Sequence, residues 1–341
     1  MLPSVSEILT STFAAAGRPQ PGTTLRERVK RMSQRYEELG LDILLVGQRW
    51  WGTGDEIEGS TNDCLAMTAM FAAYTETPLL VTAVHPGFYL PAQIAKWAAT
   101  VDNLSDGRWA VNLTSGWHER EYPMFGVGFL DHDERYRRTA EFIEVLRGAW
   151  ANEEFSYAGQ YYQVEGLRLE PRPLSERLTV FQGGQSPAAI ELAAEHSDWM
   201  FLNGGPPAKI ASIVETVRRR TAGSGREIRF AMWSIPLCRE TDAEAEAEVQ
   251  VMVDALSDEM VAKKRAAWSG AEGMWEESDD ALTLIGGNEG YASRLIGSPV
   301  TILERMREFH EIGIDCFHVA LNDPLFVNEV LPALKGEPHG H

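Results

Sequence analysis

The sequence holds only three cysteines, Cys64, Cys238 and Cys316, far apart and in no paired spacing. A disulfide framework and a zinc cluster both need more thiols, closer together; these three read as small buried hydrophobes. Positive charge is also scarce. A formal net charge of -19 with a pI near 4.9 argues against nucleic acid or an anionic membrane surface as a partner, since each needs a basic footprint. No uninterrupted apolar run approaches the roughly 20 residues of a membrane helix, and the N-terminus lacks a basic-then-apolar leader; a cytoplasmic protein is expected. There is no Gly-x-Ser-x-Gly elbow, no Walker lysine loop, and no Asp, His and Glu grouping at metal spacing. Serine hydrolysis and metal-assisted hydrolysis are thereby disfavoured.

What is present is a repeated alternation. After a Pro- and Gly-broken start with one strand-like run near Ile8 to Ala14, Thr24-Leu25-Arg26-Glu27 opens a helix that Gly40 stops. Short apolar runs then alternate with amphipathic stretches: LDILLVG (41–47), PLLVTAVH (78–85), WAVNL (109–113), LTVFQGG (178–184), WMFLNGG (199–205), IRFAMWSIPLC (228–238) and Asp315 to Leu321. Buried parallel strands have this continuous apolar character. A small hairpin turning at Ala158-Gly159 and one acidic helix from Asp242 to about Lys264 complete the pattern. Eight strands with helical crossovers predict an α/β fold, a (β/α)8 TIM barrel, with an open doubly wound sheet as the competing arrangement. The chain reads as one domain, 1–341, with an inserted segment at 266–298.

A barrel gathers its strand ends on one face, and these ends are rich in chemistry: Gln48-Arg49-Trp50-Trp51, His85-Pro86-Gly87, Asn112 onward, Gly183-Gly184-Gln185-Ser186, Asn203-Gly204-Gly205, Trp233-Ser234 and Asn322-Asp323. The stretch after Asn112 is the most decorated. It carries Trp117, His118, Glu121 and Tyr122, without recognisable secondary structure, until a helix opens near Asp131. In QGGQSPAA the glycines allow close backbone approach, and Ser186 before Pro187 is a natural helix N-cap whose free N–H groups suit a phosphate or simply cap a turn. Arg135 and Tyr136 are either a solvated helix start or donors to a phosphate or planar ring. Trp50, Trp51, Trp117 and Trp233 either wall a substrate pocket or pack the core. His85 and His118 are the titratable candidates for proton transfer.

Taken in order, DGRWAVNLTSGW, EREY, DHDERYRR, FQGGQS and SDWMFLNG resemble the bacterial luciferase-like monooxygenases that use reduced FMN, in the branch of dimethyl sulfone and alkanesulfonate monooxygenases. The resemblance runs from about Arg28 to Leu334. It implies a two-component enzyme that takes reduced FMN from an NAD(P)H-dependent flavin reductase, uses O2, and oxygenates a small molecule. The expected reaction is carbon–sulfur cleavage of a sulfone or sulfonate. The alternatives are ring-opening or amide cleavage of a heterocycle, or a flavin- or deazaflavin-dependent oxidoreductase that does not oxygenate. It further implies Asn112 and Glu121 at the isoalloxazine, with Gln48 and Arg49 at its border. Arg135, Tyr136, Gly184 and Ser186 fall at the ribityl and phosphate end. Asn112 and, on the residues themselves, His118 and His85 are the candidates for catalytic roles. The stretch 271–293 of the insertion, with Gly286-Gly287 and Gly290 as hinges, resembles the mobile loop that closes over flavin and substrate in this family. A homodimer or homotetramer is expected. The alkanesulfonate enzymes carry a histidine in the first strand and Arg-x-His where this chain has Trp233-Ser234-Ile235, a departure that favours a neutral or bulkier substrate.

Overall fold

The computed structural model describes residues 7–14, 21–50, 61–267, 281–285 and 289–336. Trp51 and the expected hinge Gly286-Gly287 lie outside them. The chain opens with β1 (Leu9–Phe13), α1 (Leu25–Glu38), β2 (Ile43–Val46), α2 (Cys64–Tyr74), β3 (Leu79–Val84), α3 (Pro91–Leu104) and β4 (Trp109–Leu113). Then come α4 (Glu121–Met124), α5 (His132–Ala151), the hairpin β5 (Phe155–Ala158) and β6 (Gln163–Leu167), β7 (Val180–Gly183), α6 (Pro187–His196), β8 (Trp199–Leu202) and α7 (Pro207–Thr221). The last part holds β9 (Arg229–Ser234), β10 (Leu237–Cys238), α8 (Asp242–Asp254), α9 (Asp258–Ala267), α10 (Ala281–Leu284), β11 (Ile296–Gly297), α11 (Pro299–Ile312), β12 (Cys316–Val319) and α12 (Leu331–Leu334).

Eight of these strands close a barrel in the order β1-β12-β9-β8-β7-β4-β3-β2, every neighbouring pair parallel. The expected barrel is therefore present, and the weak N-terminal run is its first strand. Local chemistry explains where the helices start. Thr24 and Glu27 form a reciprocal capping box, each side chain accepting from the other's backbone N–H, at 3.2 and 2.8 Å; Thr241 and Glu244 repeat it at α8. The single acidic helix expected over 242–264 is two helices, broken around 255–257. The single strand expected over 228–238 is likewise split. Its barrel part ends at Ser234, and Leu237–Cys238 pairs instead with Ile296–Gly297, so the inserted segment returns to the barrel beside the point where the chain left it.

The N-terminal end of the barrel is stitched by a recurring device. Asp42, Asp198 and Asp315 each precede a strand, β2, β8 or β12, and each carboxylate accepts a backbone N–H of the adjacent strand: Thr10 at 2.7 Å, Val180 at 2.8 Å and Phe230 at 2.9 Å. Charge-assisted bonds of this kind fix strand register and end-on stagger together. Asp198 also holds Arg147 and Arg177. On the outer surface the Glu141 carboxylate accepts the N–H groups of Gln160, Tyr161 and Tyr162, seating the hairpin on α5.

Two apolar clusters follow from strand alternation. One fills the space between strands and helices; the other, Ile43, Leu45, Val81, Ala83, Ala110, Phe181, Trp199, Ala231 and Cys316, fills the barrel interior. Successive residues of a strand face opposite sides. The next inward positions toward the C-terminal ends are therefore His85, Asn112, Trp233 and His318. No helix among the described residues is long and apolar enough to cross a membrane.

Candidate active site

Those inward positions build the mouth of the barrel from its own floor. Asn112 sits on β4 in register with Ala83 and Phe181. It is buried, and its Oδ1 has no hydrogen-bond partner. An orphaned buried acceptor costs about 1–3 kcal/mol, so a donor supplied from within the mouth would be stabilised there. On the opposite wall, His318 is ringed by Phe13, Trp233 and Phe201, with ring centroids at 4.4, 4.9 and 5.7 Å.

A second group forms at the start of α6. Ser186 is extended (φ -66°, ψ 161°) and its Oγ accepts the Ala189 N–H at 3.3 Å, with Pro187 in the first turn. The Tyr136 hydroxyl, from α5, lies 3.5 Å from the same Oγ. Gly184 has φ +128°, and a Cβ there would stand 3.0 Å from the Ala189 Cβ and 3.1 Å from the Tyr136 hydroxyl. Only glycine fits both the backbone and the space. Beside it Gln185 is buried with both amide atoms unpartnered. Hydroxyls, a helix N-terminus and a close-approach glycine are together the donor set of an anion cradle.

Arg135 does not join that set as an open fork. It is buried, its Nε donates to the Gly116 carbonyl at 3.0 Å and its Nη1 to the Leu130 carbonyl at 2.6 Å, and its guanidinium lies over the Phe129 ring at 4.2 Å. Both ends of the decorated loop are thus tied to one side chain. Nor is the loop without secondary structure, because α4 folds inside it and buries Glu121 and Tyr122.

Glu121 is no surface carboxylate. Its Oε1 accepts the Trp50 backbone N–H at 3.1 Å, drawing Trp50 onto Phe88, stacked at 4.3 Å, with Phe125 edge-on at 4.9 Å. The Trp50 indole N–H donates to His85 Nδ1 at 2.9 Å. Since Nδ1 must then carry a lone pair, the His85 proton resides on Nε2. Burial, and the nearby Arg49, lower the His85 pKa to about 3, so His85 is neutral at physiological pH and can donate a hydrogen bond but not act as a cationic acid.

The remaining expected residues fall nearby. Gln48 accepts the Cys64 N–H at 2.8 Å and so fixes the start of α2. Arg49 lies over Trp117 at 5.1 Å, and His118 meets the Trp117 ring edge-on at 5.1 Å. The tryptophans therefore divide: Trp50 belongs with His85, Trp117 with Arg49 and His118, and Trp233 with His318. Sequence reasoning missed His318, Phe201 and Phe13. For His318 the signal was present, as an inward-phase residue two positions after Cys316 on the last strand.

Comparisons with known proteins bear on the fold and the family. The FMNH(2)-dependent dimethylsulfone monooxygenase of Pseudomonas fluorescens (strain Pf0-1) is 33% identical over 319 residues, which span 90% of this chain and 86% of that protein. Among solved structures, riboflavin lyase superposes with a TM-score of 0.77 at 19% identity, covering 98% of this chain and 93% of its own. DmoA from Hyphomicrobium sulfonivorans gives 0.76 at 20% identity, covering 97% and 88%. At those identities the structures speak for the fold alone. The model of the luciferase-like monooxygenase family matches residues 7–316, and with it the chain belongs to that family.

Proposed function

We propose that this protein is a two-component monooxygenase that binds reduced FMN in the barrel mouth and oxygenates a small neutral molecule, with sulfone carbon–sulfur cleavage as its reaction. The observation that carries the reading is the pairing of the Ser186, Tyr136 and Gly184 cradle with the orphaned Asn112 Oδ1, in a chain 33% identical to an FMNH(2)-dependent dimethylsulfone monooxygenase. The residues fit the cofactor. A phosphate suits the start of α6, where hydroxyls and helix N–H groups converge. An orphaned acceptor suits the N–H edge of a reduced isoalloxazine.

When bound, reduced FMN supplies the electrons that activate O2. The chain does the rest. Asn112 orients the ring edge, and the aromatic residues Trp50, Phe88, Trp233 and Phe201 keep water from the reacting centre. His85, held as its Nε2–H tautomer by Trp50, offers a neutral donor. Gln48 and Arg49 border the ring from the α2 side, Glu121 holds Trp50 in the wall, and Arg135 holds the loop over it. A separate NAD(P)H-dependent flavin reductase delivers the reduced cofactor. We further read 1–341 as a single domain, assembled as a homodimer or homotetramer.

The test is oxygen-dependent turnover with a generic flavin reductase and a panel of dimethyl sulfone, alkanesulfonates and cyclic amides. Oxygenated product from the first is expected. No product from any, with reduced FMN bound no better than by an unrelated protein, would overturn the proposal.

A further inference from the structure

Ser11, His318 and Trp233 occupy one level of the barrel, because Ser11 pairs in register with His318 and His318 with Trp233. The Ser11 Oγ lies 3.0 Å from His318 Nδ1. His318 is 2% exposed, and its Nε2 has no hydrogen-bond partner. Two tautomers are compatible with the Ser11 contact. If Nδ1–H donated to Ser11, the serine proton and the Nε2 lone pair would both be left unmatched. If the Ser11 hydroxyl donates to Nδ1, the serine lone pairs and the Nε2–H are unmatched instead. Each arrangement leaves one costly buried donor, and only the second puts it on Nε2, where a bound acceptor would satisfy it.

We propose that His318 recognises the substrate, presenting an uncharged Nε2–H donor to an acceptor oxygen of a small neutral molecule, with Ser11 as the positioning residue that fixes its tautomer. This rests on the reading of the barrel mouth as the oxygenation site, and it names what that site selects. Burial disfavours the imidazolium, lowering the His318 pKa to about 3, so the donor stays uncharged through the physiological range. The surroundings are apolar. Phe13 and Phe201 stand edge-on to the imidazole, at 78° and 68°, and Trp233 is tilted at 45°. One neutral donor among three aromatic rings matches a molecule with a single polar oxygen centre flanked by carbon, such as a sulfonyl or an amide carbonyl. It does not match a sulfonate, whose full charge calls for a cationic partner. A site that commits a buried donor in this way also rejects analogues lacking the acceptor, because the donor is then left unpaired.

The experiment reads the histidine ring nitrogens by nitrogen-15 NMR, with the His318 signals among the eight histidines identified by their loss in His318→Gln. In the cofactor-free protein at pH 7 His318 is expected as the Nε2–H tautomer. Ser11→Ala should redistribute the tautomers and Ser11→Thr should restore them. Dimethyl sulfone and 2-pyrrolidinone, two neutral oxygen acceptors, should shift the Nε2 signal, either in the cofactor-free protein or anaerobically with reduced FMN; methanesulfonate at equal concentration should not. His318→Gln and His318→Phe should weaken dimethyl sulfone binding at least tenfold while leaving the reduced-FMN dissociation constant unchanged. An Nδ1–H tautomer in the unmodified protein, tautomers unmoved by Ser11→Ala, or an Nε2 signal unmoved by both neutral probes in both flavin states overturns the inference. The two readings fail separately. Probe shifts at His318 without any oxygenated product sink only the oxygenation, whereas product formed without those shifts sinks only the role of His318.

Discussion

At the scale of the residue, the cradle at α6 divides binding from stability. Ser186 both caps a helix and faces Tyr136, so Ser186→Ala should cost about 1 kcal/mol in urea unfolding and weaken reduced FMN at least tenfold. Tyr136→Phe should weaken FMN with the unfolding midpoint unchanged, and equilibrium titration beside urea denaturation separates the two. The histidines set a pH dependence. Folded His85 and His318 have pKa values lowered to about 3 from an ordinary 6.5. The unfolded chain therefore binds more protons below 6.5, and stability that is complete above that pH is lost as pH falls toward 3. Between pH 6.5 and 5, His318→Gln should lose less stability than the parent, by up to about 1.4 kcal/mol per pH unit, read as urea midpoints. Ser186 was legible because an N-cap before proline is a local pattern. The Ser11 and His318 pair was not, because its two members lie at opposite ends of the chain and meet only when β1 and β12 close the barrel.

At the scale of the element, the decorated loop is held by one guanidinium. Arg135→Met removes the bonds to the Gly116 and Leu130 carbonyls. It should cost about 3 kcal/mol and raise hydrogen exchange across 116–130, rather than leave the fold intact as an exposed rim arginine would. The inserted segment has its own seat on the barrel. A Cβ on Gly204 would stand 2.1 Å from the Glu289 carbonyl oxygen, so Gly204→Ala must displace one backbone from the other and should lower stability by about 1–3 kcal/mol, read as a fall in Tm. Helix starts were readable from their caps, and strands from their unbroken apolar runs. The break between α8 and α9, and the turn of α4 within the loop, were not. Each is decided by what the segment packs against, and Glu121 in particular looks like surface until it is seen to hold Trp50.

At the scale of the whole molecule, the two ends of the barrel do different work. The N-terminal end carries three aspartates bonded to neighbouring strands, and Asp198→Ala, which releases the Val180 N–H and two arginines, should cost about 2–4 kcal/mol with the reduced-FMN affinity unchanged. Urea unfolding and flavin titration on the one variant check both halves. That division was only half visible in the sequence, since SDW and LDI read as strand entries but not as ties across to a neighbour. The short parallel pairing of Leu237–Cys238 with Ile296–Gly297 carries a different kind of consequence. It brings the exit and the re-entry of the inserted segment side by side, so the excursion between them is a closed detour whose ends are already joined. The entropy of closing such a detour grows only logarithmically, about 0.6 kcal/mol for each doubling of its length. Evolution can therefore lengthen, shorten or replace the detour at little thermodynamic penalty, while the eight strands of the barrel stay as they are.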